Sequence, residues 1–239
     1  MRLLLIKCVW EHNGNDSLIF ADHFIGAFTR GANQKEALSK FQQEISSYLA
    51  WKTGERSCSQ VETEIIQEKS SGLRIADADS DILFDSEIPA LTWDEYRALK
   101  ALAMKSAGDF QKLYASVPNK EKPLLPGRKT FYGDVPVTAQ QMYDHTKGVN
   151  PYYFGEIGVD ADQGGTIATC RKCAFERLEG RAGFLDNSIF EGGYNERWTL
   201  RKVCRRFVWH DRIHAKALYR AALKTFGAEC IPDIFHFQS

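Results

Sequence analysis

The chain has 239 residues, 44% of them hydrophobic and 26% charged, an ordinary globular balance with room for one large domain or two smaller ones. Lys plus Arg and Asp plus Glu both number 31, and a net charge of zero argues against nucleic acid as a bulk electrostatic partner. No apolar run is long enough to span a membrane, and the short run Leu3–Ile6, soon interrupted by Lys7 and Glu11 and lacking a small-residue cleavage site, does not read as a signal peptide.

The first predicted element is a strand from Arg2 to Trp10, followed by a hairpin turn over Glu11–Ser17 and a second strand over Leu18–Thr29. Asn33, with Glu36 three residues on, starts a helix that runs from about Gln34 to Trp51, with Ala37, Phe41, Ile45, Tyr48 and Leu49 on one face. Thr53-Gly54 ends it. Val61–Lys69 alternates as a third strand, and Ile82-Leu83-Phe84 suggests a fourth. The stretch Phe28-Thr-Arg-Gly31 followed by Glu36-Ala37-Leu38 and a long helix resembles the HicB-like antitoxin fold, in which a Gly-x-x-x-x-Glu-Ala-Leu pattern joins strand to helix. The resemblance covers about sixty residues and implies a small α+β module, ββαβ, that packs, dimerises or binds a protein partner.

Pro89 closes this part. Residues 1–90 carry 9 basic and 14 acidic side chains against 22 and 17 in residues 91–239, a composition shift that marks a boundary. The expected domains are therefore 1–88 and 89–239. In the second, Thr92 with Glu95 caps a helix that reaches about Val117, and a loop over 118–137 carries Lys120, Lys122, Arg128 and Lys129. Thr138 with Gln141 caps another helix, which Asn150-Pro151 is expected to kink. A third helix covers Thr166 to about Leu185. After a loop over 186–198, a fourth runs between the N-cap Thr199 and Gly227. Four helices with apolar stripes predict an all-α four-helix bundle.

The stripes hold the candidate site. On the last helix Val203, Phe207, His210, His214, Ala217 and Ala221 recur at alternating steps of 4 and 3, which places both histidines in the bundle seam. Met142, His145, Val149 and Tyr152 form the corresponding seam of the second helix. Imidazoles in a core need partners. Hydrogen bonds to backbone or carboxylates satisfy that need, and so does a divalent metal bound through neutral ring nitrogens. Three histidines with no fourth protein ligand leave a position open for water or substrate, the arrangement of a catalytic rather than a structural metal. Zn, Ni, Fe and Mn all accept such a set.

Trp-His-Asp-Arg-Ile-His-Ala at 209–215, with His145 two helices earlier and Ile231-Pro232-Asp233-Ile234-Phe235 near the end, resembles the DinB/YfiT-like bundles over the last 150 residues. The resemblance implies that His145, His210 and His214 ligate a divalent metal and that bundles of this kind dimerise. It also implies a range of activities, among them metal-dependent transfer to low-molecular-weight thiols such as bacillithiol, mycothiol or glutathione, and hydrolysis. The expectation is a cytoplasmic, homodimeric, metal-dependent enzyme acting on a small molecule, a thiol-dependent transferase or a hydrolase. The alternative is a non-catalytic, metal-stabilised regulatory or interaction module working through the HicB-like part.

Other groups read as structural. Cys8, Cys58, Cys170, Cys173, Cys204 and Cys230 are scattered and expected to be reduced thiols, and the C-x-x-C at 170–173 lies inside a helix with no second copy to complete a zinc ribbon. Asp211 is expected to point off the metal face, toward solvent or a neighbouring helix. Arg201, Arg205, Arg206 and Arg212 are expected to form mostly a solvated face, with Arg205 or Arg206 within reach of an anionic group at the site. Tyr152, Tyr153 and Trp209 are candidate pocket walls.

Overall fold

The computed structural model describes residues 3–55, 59–130 and 133–238. Arg2, expected to open the first strand, Cys58, and residues 131–132 of the expected basic loop lie outside them. The described chain is mixed α and β, with a sheet region at the N-terminal side and a helical region after it.

Alternating apolar residues form β1 (Leu3–His12), and the Asn13 side chain shapes the turn to β2 (Ser17–Ala21) by accepting from the backbone N–H groups of Asn15 and Asp16. The stretch Leu18–Thr29, expected to be one strand, is two. The chain turns back over residues 22–27, and β3 (Phe28–Gly31) pairs antiparallel with β2. Gly26 carries the turn with φ +88°, and a Cβ there would lie 2.4 Å from the Val208 side chain, so this turn rests directly on the last helix. Asn33 accepts from the Glu36 N–H at 3.0 Å to cap α1 (Gln34–Ser39), and the helical run divides at Lys40 before α2 (Phe41–Thr53). β4 (Gln60–Ser70) then lies parallel to β1, giving the strand order β3-β2-β1-β4. The expected ββαβ layer is therefore βββααβ.

Ile6, Cys8, Ile19 and Ala21 cluster with Phe41, Ile45 and Tyr48 of α2 in one core, and Val9, Leu18, Phe20 and Phe28 cluster with Ile75, Ile82, Phe84 and Trp209 in another. No strand forms around Ile82–Phe84, contrary to expectation, because side chains take the carbonyls of this stretch first. Arg206 donates to Ser80 O at 2.7 Å, Lys202 to Asp81 O at 2.9 Å, Arg205 to Ile82 O at 2.9 Å and Gln67 to Leu83 O at 3.1 Å. A backbone satisfied in this way needs no strand neighbour.

The same segment covers Glu11 of β1, which is fully buried and accepts from the Ser80 hydroxyl at 2.5 Å. Burial, with the neighbouring Asp81, pushes its carboxyl from 4.5 up to about 7. A carboxyl raised in the fold binds its proton more tightly folded than unfolded, so its stabilising effect is complete below 4.5 and is lost as pH rises through 7. In urea titrations across that window, stability of the parent chain should fall relative to that of Glu11→Gln. Parallel curves for the two proteins would exclude this protonation.

Thr92 and Glu95 form the expected capping box on α3 (Trp93–Ser116). Between helices lie two short ribbons, β5 (Lys129–Thr130) with β6 (Gly133–Asp134) and, later, β7 (Phe190–Glu191) with β8 (Arg197–Trp198). α4 (Ala139–Gly155) runs on through Pro151. α5 (Ile167–Glu179) stops short of the expected Leu185, interrupted by Gly180 and Gly183. α6 (Leu200–Phe226) packs on α3 and α4, and α5 packs on the same two helices.

α6 also faces the sheet region, through Val208 under the 22–27 turn and through Arg212, which donates to Glu44 of α2 at 2.7 Å. The C-terminal tail returns to the same region, where Phe235 stacks on Trp51 at 5.4 Å. One hydrophobic core thus runs through residues on both sides of position 89. This double coverage overturns the expectation of a solvated arginine face, since Arg205, Arg206 and Arg212 are all buried and Arg205 pairs with Glu87 at 2.5 Å. No helix among the described residues is long and apolar enough to cross a membrane.

Candidate metal centre

The α4 N-terminus is fixed by a second capping box. The Gln141 N–H donates to the Thr138 hydroxyl at 3.1 Å, and the Thr138 N–H donates to the Gln141 side chain at 3.3 Å. One turn further on stands His145. Thr199 accepts from the Lys202 N–H at 3.2 Å to start α6, whose third and fourth turns carry His210 and His214. The packing of α4 on α6 brings the three rings together. Centroids lie 5.1 Å apart for His145–His210, 4.6 Å for His145–His214 and 4.4 Å for His210–His214. The Nε2 atoms of His145 and His210 are 3.3 Å apart, and one donor atom from each of the three residues falls within 4.8 Å of the others.

These spacings fit a metal. Tetrahedral coordination with Zn–N bonds of about 2.0–2.1 Å places donor atoms roughly 3.3–3.4 Å from one another. His145 is exposed while His210 and His214 are half-buried, so the cluster opens to solvent on the α4 side and is closed by the core beneath.

Electrostatics favour neutral ligands. Burial holds all three imidazoles below their ordinary 6.5, and takes His214 to about 3. His210 is pushed lowest, by burial first and then by His214, His145, Arg206 and Arg171. At neutral pH each ring therefore offers a lone pair, and a metal has no proton to displace. The His210 Nδ1 is buried with no hydrogen-bond partner among the described residues. Core histidines hydrogen-bonded to backbone or carboxylates do not explain such a cluster, because among the described residues its polar contact is between two of its own rings.

The surroundings correct several expectations and add residues that periodicity did not mark. Asp211 points off the cluster, and of the two expected directions it takes that of the neighbouring helices, buried where Arg171 of α5 donates to it at 2.6 and 3.1 Å and Ser106 of α3 at 2.5 Å. Arg171 also donates to Asn150 of α4 at 2.9 Å and to Ala103 O at 2.9 Å, with its guanidinium 4.0 Å from the Phe207 ring centre. This network ties α3, α4, α5 and α6 together directly under the cluster. Its one local signal was a charged residue, Arg171, at a buried helical position.

Tyr153 meets His210 edge-on at 6.1 Å, and Tyr152 stands beside it, half in solvent. Trp209 is not a wall of this site. One residue before His210, it is turned toward the sheet and packs on Phe20 and Phe28. Arg205 lies with it on that side, and Arg206 stands between the two sides, 4.9 Å from the Trp209 ring centre and 5.4 Å from those of Tyr153 and Trp198. The basic loop comes near α4 through a groove of about 520 Å³ lined by Gly127, Arg128, Lys129, Asp134, Val135, Val137 and Gln141. Cys170 and Cys173 lie in α5 as free thiols, outside the cluster, and burial raises the Cys170 thiol.

No family model, curated protein or solved structure matches the chain.

Proposed function

We propose that the chain is a metal-dependent enzyme of the DinB-like kind, a thiol-dependent transferase or a hydrolase acting on a small molecule, with a HicB-like sheet region packed on a DinB-like four-helix bundle. The observation that carries this reading is the convergence of three neutral imidazoles, one exposed, with donor atoms within 4.8 Å and no acidic residue in the set. His145, His210 and His214 would hold a divalent ion, Zn, Ni, Fe or Mn, and leave one side of it for a ligand. Bound there, the ion would lower the pKa of a thiol or water and supply a nucleophile at neutral pH.

The chain's own residues have separate tasks. Burial keeps the three rings deprotonated. Phe207 and Tyr153 close the floor of the site against water from below. The Arg171–Asp211 pair fixes the turn of α6 that carries His210, so that the two α6 ligands keep their aim toward His145. Arg206, held by Ser80 O and lying over the Tyr153 ring, keeps a positive charge near His210 that opposes its protonation.

The test is a metal-dependence assay. Purified chain stripped with a chelator and reloaded with Zn, Ni, Fe or Mn is incubated with glutathione and 1-chloro-2,4-dinitrobenzene, and separately with p-nitrophenyl acetate. Turnover that requires the metal and disappears in the His145→Ala variant supports the reading. A tightly held ion that neither exchanges nor accepts any added thiol or water-derived ligand would instead leave a structural metal and a non-catalytic module.

A further inference from the structure

The histidine cluster stands at one end of a continuous aromatic path. Tyr153 touches His210. Tyr152 and Trp198 each pack on Tyr153 at 5.4 Å and on each other at 6.1 Å, and Phe190 sits opposite Trp198 in the β7–β8 ribbon. Core packing accounts for Tyr153 and Trp198, which are buried. It does not account for the outer members, since Tyr152 is 40% exposed, Phe190 39% and Tyr194, at the ribbon tip, 95%.

The ribbon is pinned beside Tyr152. Glu156, at the end of α4, accepts from the Gly193 N–H at 2.8 Å, and a Cβ on Gly192 would lie 1.9 Å from the same carboxylate and 2.6 Å from the Trp198 ring, so a larger residue there would displace one of them. Tyr194 adopts a left-handed φ of 58°, uncommon for a tyrosine, and leaves its ring in solvent.

Between the cluster and this platform, α4 carries Gly148. A glycine inside a helix weakens it. Here no turn or neighbour asks for one, because φ is not positive and a Cβ would meet nothing within 4 Å. What the glycine does provide is a bare strip of backbone. His145, Gly148 and Tyr152, at spacings of 3 and 4, share one stripe of α4. At 1.5 Å rise per residue, Tyr152 lies about 10 Å beyond His145.

Resting on the reading of the cluster as an open metal centre, we infer that the site takes an elongated ligand. Its donor group, a thiol or similar head, sits at the histidines. Its chain crosses the Gly148 backbone, and a flat aromatic group about 10 Å away stacks on Tyr152 beside the ribbon. The substrate or cofactor class is thus a donor-headed molecule with an aromatic tail.

The experiment uses the full chain loaded with Co(II) and follows the thiolate-to-cobalt absorption during titration with ethanethiol, hexanethiol and 6-phenylhexanethiol. The phenyl tail should tighten binding about tenfold over hexanethiol. Tyr152→Ala should abolish that gain and leave hexanethiol unchanged. Gly148→Leu should weaken both long thiols and spare ethanethiol and cobalt. Both substitutions are at exposed positions of α4, and cobalt uptake reports that each variant is folded. If cobalt and ethanethiol bind but the phenyl tail gains nothing, or its gain survives Tyr152→Ala, the inference is overturned and the metal reading stands. If no cobalt binds, or no thiol reaches it, the metal reading fails first and the inference falls with it.

Discussion

Replacing any one of His145, His210 or His214 with alanine should weaken zinc binding by about two to three orders of magnitude and leave the metal-free protein no less stable than its parent. The first half follows from ligand number. A structural zinc site is worth about 10–16 kcal/mol over four ligands, so each ligand contributes roughly 2.5–4 kcal/mol, and 1.4 kcal/mol is a factor of ten. The second half follows from the cluster itself. Without metal, three neutral rings are held together below their ordinary pKa, and the His210 Nδ1 is buried with no partner among the described residues. Removing His214 relieves desolvation without breaking a hydrogen bond, and removing His145 or His210 gives up one bond between neutral rings, worth about 1 kcal/mol, against the desolvation it relieves. Calorimetry with and without metal reads both effects. Zinc at one hundred times its Kd should stabilise the parent by about 2.7 kcal/mol. For a chain of this size that raises the melting midpoint by roughly 5–10 °C. The alanine variants should show no such shift at the same zinc concentration. If the histidines are ordinary core residues, the signs reverse: the variants melt below the metal-free parent, and zinc moves neither.

The histidine cluster was legible because both of its determinants are local. Two helical periods put His145 in one seam and His210 and His214 in another, and the caps that set those helices, Thr138 and Thr199, are written three residues ahead of their partners. The same holds for Asn33 and Thr92. The glycine of the Gly-x-x-x-x-Glu-Ala-Leu stretch also has a local cause, since a Cβ on Gly31 would lie 2.7 Å from the Ala37 N atom. What local pattern could not show is where the long polar side chains go. Arg205 and Glu87 are 118 positions apart, and Arg171 and Asp211 are 40 apart. The solvated face predicted for α6 assumed that only one side of the helix is covered, whereas the sheet region covers the other. The missing fourth strand has the same origin. Ile82–Phe84 is apolar like a buried strand, but the carbonyls of Ser80, Asp81 and Ile82 are claimed by cations that arrive from α6 more than a hundred residues later.

That dependence on distant partners makes the Arg171–Asp211 pair a vulnerable point of the fold. Both side chains are 0% exposed and joined by two hydrogen bonds, and they engage α3, α4, α5 and α6 at once. Two charges so deeply buried gain little relative to water, because desolvation offsets most of their attraction. Removing only Asp211 is another matter. The Arg171 guanidinium keeps its bonds to Asn150 and Ala103 O but loses its counter-charge. Breaking such a pair costs about 3–5 kcal/mol, a large share of a total stability of roughly 5–15 kcal/mol. Asp211→Ala should therefore unfold at markedly lower urea, or accumulate only as insoluble chain. The double variant Arg171→Met with Asp211→Leu fills the same space without charge and should recover most of the loss. It should also bind zinc nearly as the parent does, because Asp211 touches no member of the cluster and apolar side chains of similar volume hold the turn that carries His210 in place. A single-site loss under about 1 kcal/mol would place the pair with exposed ion pairs and contradict its burial. A double variant that folds but no longer binds metal would show instead that the bonded pair itself, and not only the volume it fills, is needed to aim His210.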